Sequence, residues 1–201
     1  MTGASRAQPG DRPCIPYSVC HNCEAFLCRA DILTCPAGHN VDTFFRYGGG
    51  SDVAVSVVDA KAASLRVTRK EITLEESRVA LNKSLSSALK NGHLMVLACQ
   101  ESNPDMDALC YDGFPLDALK KGGKEIITDQ HAKKIITDAD AKSTGNVKIP
   151  NKEFAVAVTS YFEKEDLDDF LFAKGMAFGS IGKKAFQIIS IKYEEGTPLL
   201  D

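Results

Sequence analysis

Two stretches of this chain, Leu94-Met-Val-Leu-Ala-Cys99 and Phe154-Ala-Val-Ala-Val-Thr159, are apolar almost without interruption. A third, looser one is Phe186-Gln-Ile-Ile-Ser-Ile191. Each is too short for a packed helix, and the first two show no in–out alternation, which is the signature of strands buried on both faces. Helical patterns separate them. The clearest runs from Thr73 to Asn91, with Thr73 and Glu76 spaced as a capping box, an apolar stripe of Leu74, Leu81, Leu85 and Leu89, and Gly92 placed for a left-handed stop. A further helix is expected from near Pro115 to Gly122-Gly123, one from Asp129 to about Ala141, and a short acidic one from Glu165 to Ala173. Weaker strand signals fall at Val53–Val58, Leu65–Val67 and Glu125–Thr128. Buried strands alternating with helices predict an α/β fold with a largely parallel sheet and flanking helices.

The bulk properties narrow the function class. A net charge of −3 offers no basic face for nucleic acid. No apolar run approaches the roughly 18 residues of a membrane span. Residues 1–16 are polar and proline-bearing, without the apolar centre of an export signal, and read as an extended arm. A cytoplasmic, reducing location follows as the expectation, in which cysteines serve as thiols or metal ligands.

Five of the seven cysteines lie between Cys14 and Cys35. Cys20 and Cys23 form a C-x-x-C pair; Cys35 and His39 follow after a hairpin-length spacer. That spacing predicts a zinc ribbon at residues 17–48 with Cys20, Cys23, Cys35 and His39 as ligands, and Cys28, Cys14 or His21 as alternatives. Four protein ligands close the tetrahedron, so the zinc would be structural. Gly48-Gly49-Gly50-Ser51 reads as a hinge, placing the α/β domain at 51–192 and a tail at 193–201 that carries Leu199 and Leu200.

The segment Leu33-Thr-Cys-Pro-Ala-Gly-His-Asn-Val-Asp42, with Arg46 and Gly48 beyond it, resembles the amino-terminal zinc ribbon of bacterial ribosomal RNA guanine methyltransferases. Val41 stands where that ribbon has an aromatic residue. The resemblance covers about 30 of 201 residues and implies metal ligands only, since no glycine-rich methyl-donor motif follows.

A parallel sheet raises the question of nucleotides. Asp105 and Asp107 follow a buried strand, where a P-loop protein keeps a magnesium-directing acid, and Thr159 and Ser160 end another, where a polar sensor sits. The phosphate loop is missing. Ala177-Phe-Gly-Ser-Ile-Gly182-Lys183-Lys184 comes nearest, with alanine for the first glycine, lysine for the last hydroxyl residue, and a strand rather than a helix after it. In order of elements, residues 77–191 resemble the degenerate AAA-type modules of dynein heavy chains that have lost this loop. The shared outline is the helix ending Leu89-Lys-Asn-Gly92, the strand Leu94–Cys99, the Asp105–Asp107 turn, Lys120-Lys-Gly-Gly123, the lead-in Ile149-Pro150 and the two later strands. It implies a P-loop-like core lacking the P-loop, in a non-catalytic scaffold of motor or ciliary assemblies.

Other chemistry is thinner. Asp140 to Glu153 has carboxylates at both ends and Ile149 as an apolar plug, but its fourteen positions miss calcium spacing: Lys142 and Val147 fall where an acid and a glycine belong. Cys99 and Cys110 are candidate thiol nucleophiles with His93 and His131 as bases, although Cys99 lies inside an apolar run. The run Glu163–Asp169 reads as a solvated helix start. The expectation is a non-enzymatic intracellular scaffold or adaptor with a structural zinc site, working with other proteins in a larger assembly. An enzyme handling nucleotides or nucleosides is the alternative, and a calcium-responsive binder the third.

Overall fold

A computed structural model describes residues 30–35, 39–47, 54–111, 114, 116, 119, 127–142 and 148–190. Five parallel strands form one sheet: β1 (Ala30–Thr34), β2 (Val55–Asp59), β3 (Leu94–Gln100), β4 (Ala155–Ser160) and β5 (Phe186–Ser190), in the order β2-β3-β4-β1-β5. The helices are α1 (His39–Arg46), α2 (Ala60–Thr68), α3 (Leu74–Asn91), α4 (Met106–Leu109), α5 (Asp129–Ile135), α6 (Asp138–Ala141) and α7 (Leu167–Phe170). The α/β class with a parallel sheet and flanking helices is what the apolar runs implied.

Strand parity divides the core in two. Ile32, Met95, Leu97, Cys99, Val156 and Val158 face α3 and the later helices. Leu33, Cys35, Leu94, Val96 and Ala157 face the other way, onto Val41 and Phe45 of α1. With an apolar layer on each side, the first six residues of β3 are all buried, which is why they show no alternation. The α3 caps are as read: Thr73 Oγ1 accepts from Glu76 N–H at 3.1 Å, Glu76 Oε2 accepts from Thr73 N–H at 2.8 Å, and Gly92 takes φ 71°. The stretch 129–141 is two helices, because Ile136 leaves helical geometry and Thr137 opens a new capping box with Asp140.

Three expectations are corrected. Leu65–Val67 is helical within α2, which Asp59 opens by accepting from Ala62 N–H at 2.7 Å. The acidic helix is the single turn Leu167–Phe170. The third concerns the domain boundary. Ala30–Thr34, expected inside a ribbon separate from a 51–192 domain, is a strand of the sheet, with Asp31–Thr34 paired to Ala157–Ser160 and Ala30–Thr34 to Phe186–Ser190. Backbone pairing on both sides makes it integral to the layer. Gly48–Ser51, and most of the helix expected from Pro115, lie outside the described residues.

Candidate functional site at the carboxyl ends of the strands

In an open parallel sheet, a crevice forms outside the carboxyl ends of two neighbouring strands whose outgoing connections leave on opposite faces. Here those strands are β1 and β4. The chain leaves β1 for α1 on one face, while after β4 it passes to α7 on the other, where Leu167 joins the larger core. The helix α1 has an apolar pair one turn apart, Val41 and Phe45, which seats it on the sheet. That seating turns Asp42, only 4 % exposed, toward β4. Its carboxylate accepts a hydrogen bond from Thr159 Oγ1 at 2.5 Å and another from the Tyr161 hydroxyl at 2.8 Å. Burial, then the hydrogen bond to Asp42 and the charges of Asp42 and Glu101, push the Tyr161 phenol up, so it stays a donor.

The rest of the edge is held by paired groups. At the last residue of α1, Arg46 reaches Asp59 of β2 at 3.4 Å. The helix thus bridges from the end of β4 to the end of β2. Lys61, at the start of α2, pairs with Glu101 just past β3. The exit of β3 is bent: register slips between Ala98 and Gln100, and Gln100 has φ 54°, a left-handed conformation costing about 1–2 kcal/mol for a residue with a Cβ. Its carbonyl accepts from Tyr161 N–H at 2.9 Å, which ties β3 to β4 at that point. Thr34 lies in register between Ser160 and Ser190. The Thr34 hydroxyl is fully buried and has no hydrogen-bond partner.

Chemically, this edge presents a buried carboxylate already bonded to two hydroxyls. A phosphate entering it would meet the Asp42 carboxylate. The cations at its margin, Arg46 and Lys61, are both ion-paired. The connection from β1 to α1, Cys35-Pro-Ala-Gly38, contains neither lysine nor a hydroxyl residue. Ala177–Lys184, the nearest sequence match to a phosphate loop, is a series of turns leading into a 3-10 turn (Lys183–Ala185) and then β5. No helix N-terminus is presented there. Thr159 does end a strand at the crevice, as a polar sensor would, but its hydroxyl is committed to Asp42. Asp105 caps α4 by accepting from Ala108 N–H at 2.9 Å, and Asp107 accepts from Ser180 Oγ at 2.6 Å.

Of the expected zinc ligands, Cys35 follows β1 directly and His39 opens α1, while the residues between them, 36–38, lie outside the described residues. Cys35 is fully buried beside Leu33, Val41 and Phe45, and its N–H donates to Ser160 O at 2.9 Å. Cys20 and Cys23, with the alternatives Cys14, Cys28 and His21, lie outside the described residues. No group of three or more His, Cys, Asp or Glu side chains suited to a metal occurs among the described residues. Of the loop weighed for calcium, residues 143–147 lie outside the described residues. The Asp140 carboxylate is taken up by Thr137 N–H at 3.2 Å and Oγ1 at 2.8 Å, and Ile149, the expected plug, is 66 % exposed.

The candidate thiols are buried, and burial pushes both Cys99 and Cys110 well above the usual range, away from the reactive thiolate. Asp42 and Tyr161 were missed as site residues. The available signal was the Val41–Phe45 spacing, which seats α1 and fixes where an acid one residue after Val41 must point. No protein-family model matches the chain, and comparison with curated proteins and with solved structures gives no match.

Proposed function

We propose that this chain is a non-enzymatic scaffold or adaptor whose α/β core has the layout of a nucleotide-binding sheet without the means to hold a phosphate. The observation that carries the reading is the buried Asp42 carboxylate, bonded to Thr159 and Tyr161, standing in the switch-point crevice. An immobilised negative charge in a desolvated crevice repels the anion such a crevice otherwise attracts. The resemblance of residues 77–191, in order of elements, to degenerate AAA-type modules that have lost the phosphate loop supports this reading. On this reading the protein works within a larger assembly of other proteins, with a motor or ciliary setting implied by the resemblance. No described helix is long and apolar enough to cross a membrane.

The test is thermal melting with magnesium–ATP and magnesium–GTP. A ligand at about a hundred times its Kd adds about 2.7 kcal/mol, several degrees for a chain of this size. The expected result is no shift with either nucleotide, and a clear rise with one of them overturns the proposal. A second reading, an enzyme of the nucleoside-handling α/β class, draws on the unpartnered Thr34 hydroxyl and the left-handed Gln100, both at the carboxyl edge. It requires the same melting shift to appear with a nucleoside.

A structural zinc on Cys20, Cys23, Cys35 and His39 rests on sequence spacing, and the apolar surroundings of Cys35 weigh against its part in it. Elemental analysis of the protein and of Cys35→Ser decides that part. A metal content unchanged by the substitution removes Cys35 from the ligand set.

A further inference from the structure

The two faces of the sheet are covered unequally. On one, Ile32, Met95, Leu97, Val156 and Val158 pack into a large core to which every helix from α3 to α7 contributes. On the other, Leu33, Cys35, Leu94, Val96 and Ala157 pack with Val41 and Phe45 of α1, and among the described residues no other helix joins that cluster. Eight residues are too few for a helix to persist without tertiary contacts. Those that hold α1 to the strands are its two apolar side chains, the Asp42 carboxylate and the Arg46–Asp59 pair. The ion pair is partly exposed and contributes little. The strands on either side of α1 are held independently of it: β1 is paired along both edges, and β2 is paired to β3.

We infer that α1 is a latch: it lifts from the sheet as a unit while the sheet and the larger core stay folded, and so bares an apolar strip of one sheet face. Local opening selects the element with the fewest buried apolar contacts, and α1 with its two buried apolar side chains is far poorer in them than α3. Cys35 reports the event. Its thiol is fully buried in the cluster that α1 completes, so lifting the helix uncovers it. Cys99 lies in the larger core and is reached only when the whole domain unfolds. The latch does not depend on the scaffold reading.

The experiment is native-state alkylation of the full chain at low reagent concentration, with a chelator present so that no metal slows a thiol. Tryptic mapping follows; cleavage after Arg29 and Arg46 isolates Cys35 in peptide 30–46. Each rate is divided by that of the same thiol in urea. On this scale Cys35 is labelled at least about ten-fold faster than Cys99. Thr73→Ala, which weakens α3, speeds Cys99 about five-fold and leaves Cys35 unchanged, because α3 is intact in both the latched and the lifted state. Asp42→Ala speeds Cys35 at least about five-fold by removing a buried hydrogen bond that holds the latch. Asp42→Asn does so more mildly, and replaces the alanine variant if that one does not fold. Cys35 labelled as slowly as Cys99, or speeded equally by Thr73→Ala, is reached only by global unfolding, and the inference is overturned. A Cys35 rate unchanged by substitution of Asp42 overturns it as well.

Discussion

Replacing Asp42 by alanine tests whether its carboxylate is bonded as described. The carboxylate accepts two hydroxyl hydrogen bonds, at 2.5 Å from Thr159 and 2.8 Å from Tyr161. The two donors fare differently when it is gone. Thr159 is fully buried, so its hydroxyl loses its partner without gaining water, at about 1–3 kcal/mol. Tyr161 is half-buried and turns to solvent, losing about 1 kcal/mol. Removing a buried charge returns part of this, because its own desolvation ends. The net expectation is a loss of about 1–3 kcal/mol, or about 2–12 °C in Tm for a chain of this length. Urea denaturation followed by circular dichroism measures it. Asp42→Asn, which keeps the shape and one good acceptor, falls between wild type and alanine. Tyr161→Phe costs about 1 kcal/mol. A double-mutant cycle of Asp42→Ala with Thr159→Val gives a coupling of about 1 kcal/mol or more. Should Asp42→Ala melt within about 2 °C of wild type, or the two substitutions prove additive, the carboxylate does not bridge α1 to β4 and the reading built on it fails.

The other expectations are independent of that cycle. Thr73→Ala removes the α3 capping box and costs about 1 kcal/mol by thermal or urea denaturation. The Thr73 backbone N–H, then its hydroxyl, holds the Glu76 carboxyl below its ordinary value; a depressed folded pKa means stabilisation present above the unfolded pKa and lost as pH falls through the folded one. The wild-type advantage over Thr73→Ala therefore narrows on acidification below the ordinary carboxylate range in pH-resolved melts. Gly92→Ala destabilises by about 1–2 kcal/mol or more: φ is 71°, and a Cβ would sit 2.6 Å from the Asn151 side chain. Alkylation followed by peptide mapping finds Cys99 and Cys110 unmodified in the native protein and modified in urea; native labelling of Cys99 contradicts its burial in β3.

How far the fold was legible follows from where its information is local. The capping box of α3 and the apolar runs of β3, β4 and β5 each carry their whole signal within a few residues. The strand β1 does not. Asp31 interrupts the apolar residues of Ala-Asp-Ile-Leu-Thr and leaves only Ile32 and Leu33 as large ones, and the segment is a strand because β4 and β5 supply partners on both sides. Cys35 and His39 show the limit of local spacing in another way: the same two residues that sit at a metal-ligand spacing also stand at the end of a strand and the start of a helix. The crevice network was hidden because Asp42 and Tyr161 lie far apart in sequence and meet only when α1 crosses the strand ends. Thr159 is legible from its place at the end of a strand, but its bond to an acid on another element leaves no local trace.

The placement of β1 bears on how the chain is assembled. This strand leaves the ribosome before any other described strand, yet both of its neighbours come from the far end of the sequence. Strands β4 and β5 do not touch each other across it; β1 is the wedge between them. The β2-β3 pair can form early, but the sheet is finished only when segments near the two ends of the described chain find each other. That makes closure a late event with a large loop entropy to overcome. Until then β4 offers an unpaired edge to anything that resembles β1, including the β1 of another copy.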